Sequence, residues 1–326
     1  MPNSVQHQPA SAQSATAFAP GGVGNVGPGL DILGLALEGA GDTVRAQWSN
    51  SPGVSILDPG HPELPREASR HTSGLAAHAV LEHAGALRES AGIALTVCKG
   101  LPLSGGQGGS AASAVAAAVA VNALLRNPLD RLSLVRACLA AEEVVSGRHA
   151  DNIAPSLFGG IVLIRSLDPL DLIELPVPPE LWVVLVQPNQ QLRTSEARSV
   201  LPELVSRQVA LHQAAQVAAI VAALVRADYA LLGRAIDDRI AEPARAGLLP
   251  GFQEAKKAAM EAGALGSSIS GAGPSVFALT QGPAVAQRVG EAMVTAYAER
   301  GQTARLRVTR VDRQGARLID DPEPSP

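Results

Sequence analysis

The sequence predicts an α+β protein in which mixed sheets are packed with helices in two layers, and three observations support this fold class. Segments with strand and helix periodicity alternate irregularly, in pairs rather than in strict βαβ order, which disfavours a doubly wound sheet. The chain has 326 residues, of which 46% are hydrophobic, so it can bury the cores of two ordinary domains. Aromatic residues make up only 2%. The cores must therefore be built from Ala, Leu, Val and Ile.

Periodicity and turn residues locate the individual elements. Short apolar runs bounded by turn residues predict strands at residues 17–19, 43–48, 92–98, 160–164, 181–186, 267–269, 275–279 and 304–308. Apolar residues at helical spacing predict helices at residues 72–83, 110–125, 131–145, 203–225, 229–237, 252–262 and 284–300. No internal repeat is visible, which argues against a repeat architecture.

The chain is expected to form two domains. Residues 168–179 are rich in Pro, Asp and Leu, which predicts a connector. An N-terminal domain is accordingly expected over residues 15–167 and a C-terminal domain over residues 168–326. Residues 1–14 are polar and lack the apolar core of a signal peptide, which predicts a disordered tail.

Composition argues against several function classes. The net charge is −4 with both signs spread along the chain, so no nucleic-acid partner is expected. The longest apolar stretch, residues 111–125, is shorter than the roughly 20 residues of a membrane helix. Cys98 and Cys138 lie far apart without metal-ligand spacing, which predicts two buried thiols in a reduced compartment. We therefore expect a cytoplasmic protein with no membrane partner.

The first of three glycine-rich segments, residues 22–27, has the GxGxxG spacing of a dinucleotide-binding turn. That turn requires a helix after the last glycine, but Pro28 and Gly29 follow here and disrupt a young helix. A nicotinamide-dependent dehydrogenase is therefore disfavoured. An extended loop that presents Asn25 and Asp31 among small residues fits the sequence better than a dinucleotide-binding turn. Taken alone, this segment also fits a solvated turn.

The second glycine-rich segment, residues 101–113, joins a predicted strand to a long Ala- and Val-rich helix. Glycines let consecutive backbone N–H groups converge, and the following helix adds free amides and the positive end of its dipole. Such a turn binds phosphate groups. It is not a Walker A loop, because no Lys-Ser/Thr pair follows the glycines. Ser110 is placed either to bind a phosphate-bridging metal or to serve as a simple helix cap.

An acidic and histidine-containing stretch follows at the end of a predicted helix. Mg²⁺ takes one or two protein carboxylates together with phosphate oxygens, so Glu142 or Glu143 could serve it. These neighbours point about 100° apart on a helix, and only one can face the site. His149 has no partner for a zinc site and is interpreted as structural or substrate-orienting. Residues 266–275 form the third loop of small residues, between a helix and a strand.

The order of these motifs resembles the GHMP small-molecule kinases. The resemblance rests on PGGVGNVGPGLDILGLAL, PLSGGQGGSAASAVAA, SGRHADNIAPSLFGG and SSISGAGPSVFAL, and it extends from about residue 16 to residue 308. Three stretches, HADNIAP, RTSEAR and AEPARAGLLPGF, are similar to the homoserine kinase family in particular. The glycine loop alone is specific only to the superfamily, whereas its combination with HADN, TSEAR and EPxR is specific to the homoserine kinases.

The resemblance implies a two-domain GHMP fold, usually a homodimer, and transfer of the ATP γ-phosphate to the hydroxyl of L-homoserine in threonine biosynthesis. ATP is expected in the N-terminal domain at Pro102, Ser104, Gly105, Gly106, Gln107, Gly108, Gly109 and Ser110. Mg²⁺ ligands would be Ser110 and Glu142, since the family's glutamate lies five residues before the glycine that is Gly147 here. The implied substrate contacts are Asn25, Asp31, Asp151, Thr194, Arg198 and Arg245.

These residue types suit the implied substrate and reaction. An ammonium group calls for carboxylates, and a carboxylate group calls for the forked guanidinium of arginine. Asn152 stands where some relatives carry a catalytic aspartate. Phosphoryl transfer depends mainly on positioning and charge neutralisation. The hypothesis is therefore catalysis by loop amides, Mg²⁺ and alignment, with Asn152, Ser110 and Glu142 at the reacting groups and no dedicated base.

The chain departs from the family pattern in its glycine loop. The usual loop reads GLGSS, but Gln107 replaces the leucine and Gly109 replaces the first serine, while Leu30 replaces a usual phenylalanine in the first motif. These changes predict a looser phosphate loop. Two other functions stay open from the sequence: a GHMP kinase for mevalonate or a sugar, which has no ammonium group to bind, and a relative that binds nucleotide without catalysis.

Overall fold

The computed structural model describes residues 13–87 and 91–320. Its strands are β1 (Ser14–Val23), β2 (Leu33–Ser49), β3 (Gly53–Asp58), β4 (Gly92–Cys98), β5 (Ile161–Leu167), β6 (Leu170–Leu175), β7 (Leu181–Pro188), β8 (Gly266–Ile269), β9 (Val276–Gln281), β10 (Ala304–Thr309) and β11 (Arg317–Ile319). Its helices are α1 (Thr72–His83), α2 (Gly109–Leu124), α3 (Arg131–Val145), α4 (Ile153–Phe158), α5 (Thr194–Ser199), α6 (Arg207–Arg226), α7 (Tyr229–Ala235), α8 (Ala241–Arg245), α9 (Phe252–Glu261) and α10 (Pro283–Glu299).

The first sheet has seven strands and is organised around the long strand β2. The order is β11-β1-β2-β4-β3, and the first part of β2 also pairs with β5, which pairs with β6. Helices α1, α2 and α4 pack on this sheet, α3 packs on these helices, and together they bury a core rich in alanine. Helix α2 is buried along most of its length, because its small side chains let neighbouring helices and strands approach closely.

The second sheet has four antiparallel strands in the order β10-β7-β9-β8. One face packs on α9 and α10 around Phe252, Val276 and Tyr297. The other face meets β1, β2, α6 and α7 in a core that both sheets share, which includes Leu35 and Leu185. This apolar core joins the two sheets and lies beneath the groove between them.

Helix α6 is, within the described ranges, the single helix long and apolar enough to cross a membrane by length and composition alone. It contacts the shared core through Ile220, Ala223 and Leu224. Core helices of soluble proteins pass the same test, so the finding carries little weight for a membrane location. The longest apolar stretch, residues 111–125, falls in the buried helix α2 except for its last residue.

Most predicted elements are confirmed, and the deviations have local causes. The predicted connector, residues 168–179, contains β6, because its alternating apolar residues pair with β5 in an antiparallel hairpin. The domain boundary at residue 168 thus falls in the β5–β6 turn, and it stays a prediction. Residues 1–12 of the predicted tail lie outside the described residues, and Ser14 begins β1. Cys138 is buried as predicted, but Cys98 is exposed, because it lies at the end of β4.

A close backbone approach positions the start of α4 against β2. A Cβ atom on Gly34 would lie 1.7 Å from the backbone oxygen of Asp151. Any side chain at residue 34 would therefore push away the turn that carries residues 149–152. The strand and the turn can touch only because residue 34 is glycine.

We predict that Gly34→Ala destabilises the protein by about 3 kcal/mol, the upper part of the range for overpacking a buried position. Thermal unfolding followed by circular dichroism measures the effect. Gly247→Ala is the matched control, since no atom lies within 4 Å of its added Cβ and the change should stay within about 0.5 kcal/mol. Equal melting temperatures for the two variants would show that this contact does not constrain the turn.

Candidate active site

A cavity of about 470 Å³ opens between the two halves of the chain. Its walls come from the glycine loop, the end of α3, the turn before α4, helix α5 and the third glycine loop. Every residue predicted for the site lines this cavity, with the exception of Asp31, which is ion-paired to a residue of its wall. Side chains separated by up to about 220 residues in sequence are thus brought to one place.

The glycine loop of residues 102–110 has the backbone of an anion-binding turn. Ser104, Gly106 and Gly108 have positive φ, and Gly108 is the N-cap of α2 without a side-chain cap hydrogen bond. The carbonyl of Gly105 accepts a hydrogen bond from Ser275 Oγ at 2.6 Å, and that of Gly106 accepts one from Ser270 Oγ at 2.7 Å. The third glycine loop thus anchors these two carbonyls, and the first turn of α2 keeps its free amides.

A buried ionic cluster that the sequence analysis missed joins the two ends of this loop. The carboxylate of Asp42 accepts from the backbone N–H groups of Gly100 (3.1 Å) and Leu101 (3.2 Å) and from Ser113 Oγ (2.5 Å). The ammonium group of Lys99 pairs with Asp42 and also donates to the carbonyl of Gly109 (3.0 Å) and to Ser113 Oγ (2.9 Å). All three ammonium donors are engaged within the protein, so Lys99 supports the loop.

The two predicted metal ligands are in direct contact. Ser110 Oγ donates to Glu142 Oε1 at 2.5 Å, and Ser146 Oγ donates to Glu142 Oε2 at 2.5 Å. Glu142 is only 2% exposed and faces the cavity, whereas Glu143 points to solvent. Ser110 is therefore not the N-cap of α2, and its hydroxyl lies beside a carboxylate at the glycine-loop end of the cavity.

The opposite end of the cavity holds two carboxylates and two guanidinium groups. Arg198 forms a two-pronged ion pair with Asp31, with N–O distances of 2.6 and 3.2 Å. Burial by itself lowers the pKa of Arg198, but the hydrogen bonds and charge of Asp31 outweigh it, and the pKa is raised. Arg245 is buried and donates to the carbonyls of Ala197 and Gly271, both at 3.0 Å. Burial and the charge of Arg198 lower the pKa of Arg245.

Asn25 connects the three segments that meet at this end. Its backbone N–H donates to Asp151 Oδ2 at 3.0 Å, and its side-chain nitrogen donates to the Gly271 carbonyl at 3.0 Å. Its side-chain oxygen accepts from the N–H of Asp31 at 2.7 Å. No helix follows the first glycine segment, which confirms that it is not a dinucleotide-binding turn. Asn25 and Asp31 both adopt positive φ, as expected for a loop that turns sharply.

His149 lies against Asp151, with Nδ1 at 3.0 Å from Oδ1. Burial alone lowers the pKa of His149, but the hydrogen bond and negative charge of Asp151 outweigh it, and the pKa is raised. Among the described residues, Nε2 of His149 and Oδ1 of Asn152 are buried without a hydrogen-bond partner. Both residues line the cavity, so these two atoms are available to a ligand.

Three groups at this end could bind a cation. Ligand atoms of Asp31, His149 and Asp151 all lie within 4.8 Å of one another. An ammonium group needs hydrogen-bond acceptors and negative charge, which two carboxylates supply. Together with the nearby guanidinium groups, the cluster suits a small molecule that carries both charges.

We predict that Asp151→Asn lowers the pKa of His149, because the substitution removes the negative charge that stabilises the imidazolium. NMR titration of the His149 ring protons measures the pKa in both proteins. The signals of the other histidines should titrate alike in the two, which controls for a change of fold. An unchanged or higher His149 pKa in the variant would exclude Asp151 as the cause of the raised value.

Known proteins that resemble this chain agree with the fold. Residues 71–160 match the GHMP kinases N terminal domain, and residues 220–299 match GHMP kinases C terminal. A homoserine kinase of Chlorobium phaeobacteroides (strain BS1) is 43% identical over 94% of this chain and 100% of its own length. A homoserine kinase of Arabidopsis thaliana is 42% identical over 94% of this chain and 85% of its own.

Solved structures give the same result. The crystal structure of homoserine kinase from Cytophaga hutchinsonii ATCC 33406 superposes with a TM-score of 0.91 at 39% identity, over 97% of this chain and 100% of that one. Mevalonate kinase of L. major has a TM-score of 0.69 at 15% identity, which shows the fold alone. The resemblance inferred from the motifs is thereby confirmed. The chain belongs to the homoserine kinase family of the GHMP kinases, ATP-dependent enzymes that phosphorylate a hydroxyl group.

Proposed function

We propose that ATP and Mg²⁺ occupy the loop end of the cavity and L-homoserine the charged end, so that the γ-phosphoryl group passes to the substrate hydroxyl and yields O-phospho-L-homoserine. One observation carries this proposal: a single cavity joins an anion-binding loop to a cluster with both positive and negative charge. A mevalonate or sugar acceptor has no ammonium group that could replace Arg198 as the partner of Asp31.

The loop end fits a nucleotide polyphosphate and its metal. The first turn of α2 offers free backbone amides, and the Ser110 hydroxyl and Glu142 carboxylate lie side by side. Mg²⁺ accepts one carboxylate and a hydroxyl in a shell that water and phosphate oxygens complete, so this pair suits it. When bound, the ion would neutralise charge that develops on the phosphate oxygens. Ser146 orients Glu142 by donating a hydrogen bond to the second oxygen of the Glu142 carboxylate.

The charged end fits a small amino acid. Asp31 and Asp151 are the acceptors proposed for the ammonium group, and Arg198 and Arg245 are the donors proposed for the carboxylate group. Thr194 begins α5 on the same wall and adds a hydroxyl. The Asp31–Arg198 pair must open for this, because each partner satisfies the other before substrate binds. Homoserine carries an ammonium group and a carboxylate group on the same carbon, so its two charges can replace that pair.

The reaction needs no dedicated base in this arrangement. Asp151 is held by Asn25 and His149 through its two oxygens, and its proposed role is to bind the substrate ammonium group instead of accepting the hydroxyl proton. A raised pKa makes His149 a weaker candidate for a neutral base. The side chain of Asn152 lies against the loop, since a Cβ on Gly108 would be 2.7 Å from its Oδ1. That oxygen is placed to accept the hydrogen bond of the substrate hydroxyl and align it with the phosphoryl group.

We propose further that the chain forms a homodimer in the cytoplasm, without nucleic-acid or membrane partners. The dimer is a family expectation, and analytical ultracentrifugation tests it directly.

We predict ATP- and Mg²⁺-dependent ADP release that requires L-homoserine. A coupled assay compares L-homoserine with mevalonate, L-threonine and no acceptor, and mass spectrometry identifies the phosphorylated product. L-Homoserine alone should support turnover, because it alone carries both charges and a primary hydroxyl. Turnover with mevalonate, or none with any acceptor from folded protein, would refute the proposed acceptor site.

We predict that Glu142→Gln lowers kcat about 100-fold, the scale for losing one electrostatic group at a phosphoryl-transfer site, and raises the Mg²⁺ concentration required. Glu143→Gln is the matched control, because its side chain points to solvent on the same helix. Electron paramagnetic resonance of Mn²⁺ titrated into the ADP complex reports metal binding separately from turnover. Equal metal affinity and rate in the two variants would remove Glu142 from the metal site.

A further inference from the structure

Gln107 occupies the loop position where the usual family sequence has a leucine, yet it is almost fully buried, with 6% exposure. Its side-chain nitrogen donates to Gln187 Oε1 at 3.0 Å and reaches Ser275 Oγ at 3.4 Å. Its backbone carbonyl accepts from the N–H of Gly22 at 3.0 Å. One loop residue thereby contacts the end of β1, strand β7 and the residue that precedes β9.

Gln187 lies behind the loop, near the end of β7, and is not among the residues that line the cavity. Its backbone pairs with Arg305 on β10, which fixes it within the second sheet. A Cβ on Gly105 would lie 3.1 Å from Gln187 Nε2, so the side chain packs directly beneath the loop. Gln187 can therefore affect a bound nucleotide only through the loop.

A buried amide is unfavourable unless it is hydrogen-bonded, so a glutamine at residue 107 requires an acceptor that a leucine would not. Gln187 supplies it. The departure of the glycine loop from the family pattern predicted a looser loop. The contacts do not indicate one, because the hydrogen bond between Gln107 and Gln187 replaces the lost apolar contact. Gln107 and Gln187 form a matched pair across the two halves of the chain.

We propose that Gln187 is a positioning residue for nucleotide binding, which holds the phosphate loop in its binding conformation through Gln107. The proposal rests on the proposed role of the loop in ATP binding. It assigns Gln187 no contact with ATP or homoserine. Loss of this residue should therefore weaken nucleotide binding and leave homoserine binding unchanged.

The experiment uses three variants of the full chain: Gln107→Leu, Gln187→Met and the double variant. Methionine keeps the length of glutamine without its hydrogen bonds, so packing beneath Gly105 is retained. Steady-state kinetics give KM for ATP and for homoserine, and calorimetry gives the Kd of ADP without any acceptor. Each single variant should raise the KM for ATP and the Kd of ADP about tenfold. Gln187→Met removes the acceptor at 3.0 Å from the buried Gln107 amide, and Gln107→Leu removes the donor from the partly buried Gln187 amide. KM for homoserine should stay within about twofold.

The double variant is the decisive test. Removing both amides leaves an apolar contact with nothing unpaired. We therefore expect the double variant to recover at least half of the ADP affinity that a single variant loses, on a logarithmic scale. Gln190→Leu is the matched control. Gln190 lies three residues after Gln187 and donates a hydrogen bond to the carbonyl of Leu248, so its loss should not change ADP binding. Circular dichroism and melting temperatures verify that all variants are folded.

Additive losses in the double variant, or equal effects on both KM values, would overturn the proposal. So would unchanged ADP affinity in the single variants. If a single variant fails to fold, the double variant still decides, because it should be folded and bind ADP within about threefold of the parent. Failure of the proposed function has a different signature: the parent itself would not bind ADP or would not turn over homoserine.

Discussion

The active site depends on a fully buried carboxylate, that of Asp42. Burying a charge is costly, and the protein offsets that cost with two backbone N–H groups, a serine hydroxyl and the Lys99 ammonium. These donors belong to both ends of the glycine loop, so stabilising the charge also closes the loop. A loop rich in glycine has high conformational entropy when free, and this cluster is what restricts it.

The remaining restraints on the site come from the opposite half of the chain. Ser270 and Ser275 anchor the loop carbonyls, and Gln187 fixes Gln107 from below. At the acceptor end, Asp31 belongs to the first half, and Arg198 and Arg245 to the second. Neither half therefore builds a complete site, and its geometry depends on how the two sheets pack on their shared core.

Sequence periodicity was sufficient for the major elements, whereas the expected site came from the glycine-rich segments and the family resemblance. The glycine-rich turn before an apolar helix predicted the loop, and helix geometry showed that only one of Glu142 and Glu143 could face it. The choice of Glu142 needed the family resemblance. The partnerships of Asp42 with Lys99 and of Gln107 with Gln187 span 57 and 80 residues, and no periodic pattern records contacts that distant. Strand β6 was missed because Pro and Asp at its start are typical of loops.

The position of β11 has a consequence for synthesis on the ribosome. Strand β1 has β2 on one side and β11 on the other, with Thr16 opposite Ile319. Among the described strands β1 is synthesised first and β11 last, so the outer edge of β1 stays open to pairing with other chains until β11 has been made. A nascent chain exposes that edge while the strands between them are synthesised, and a chaperone that shields strand edges would act there.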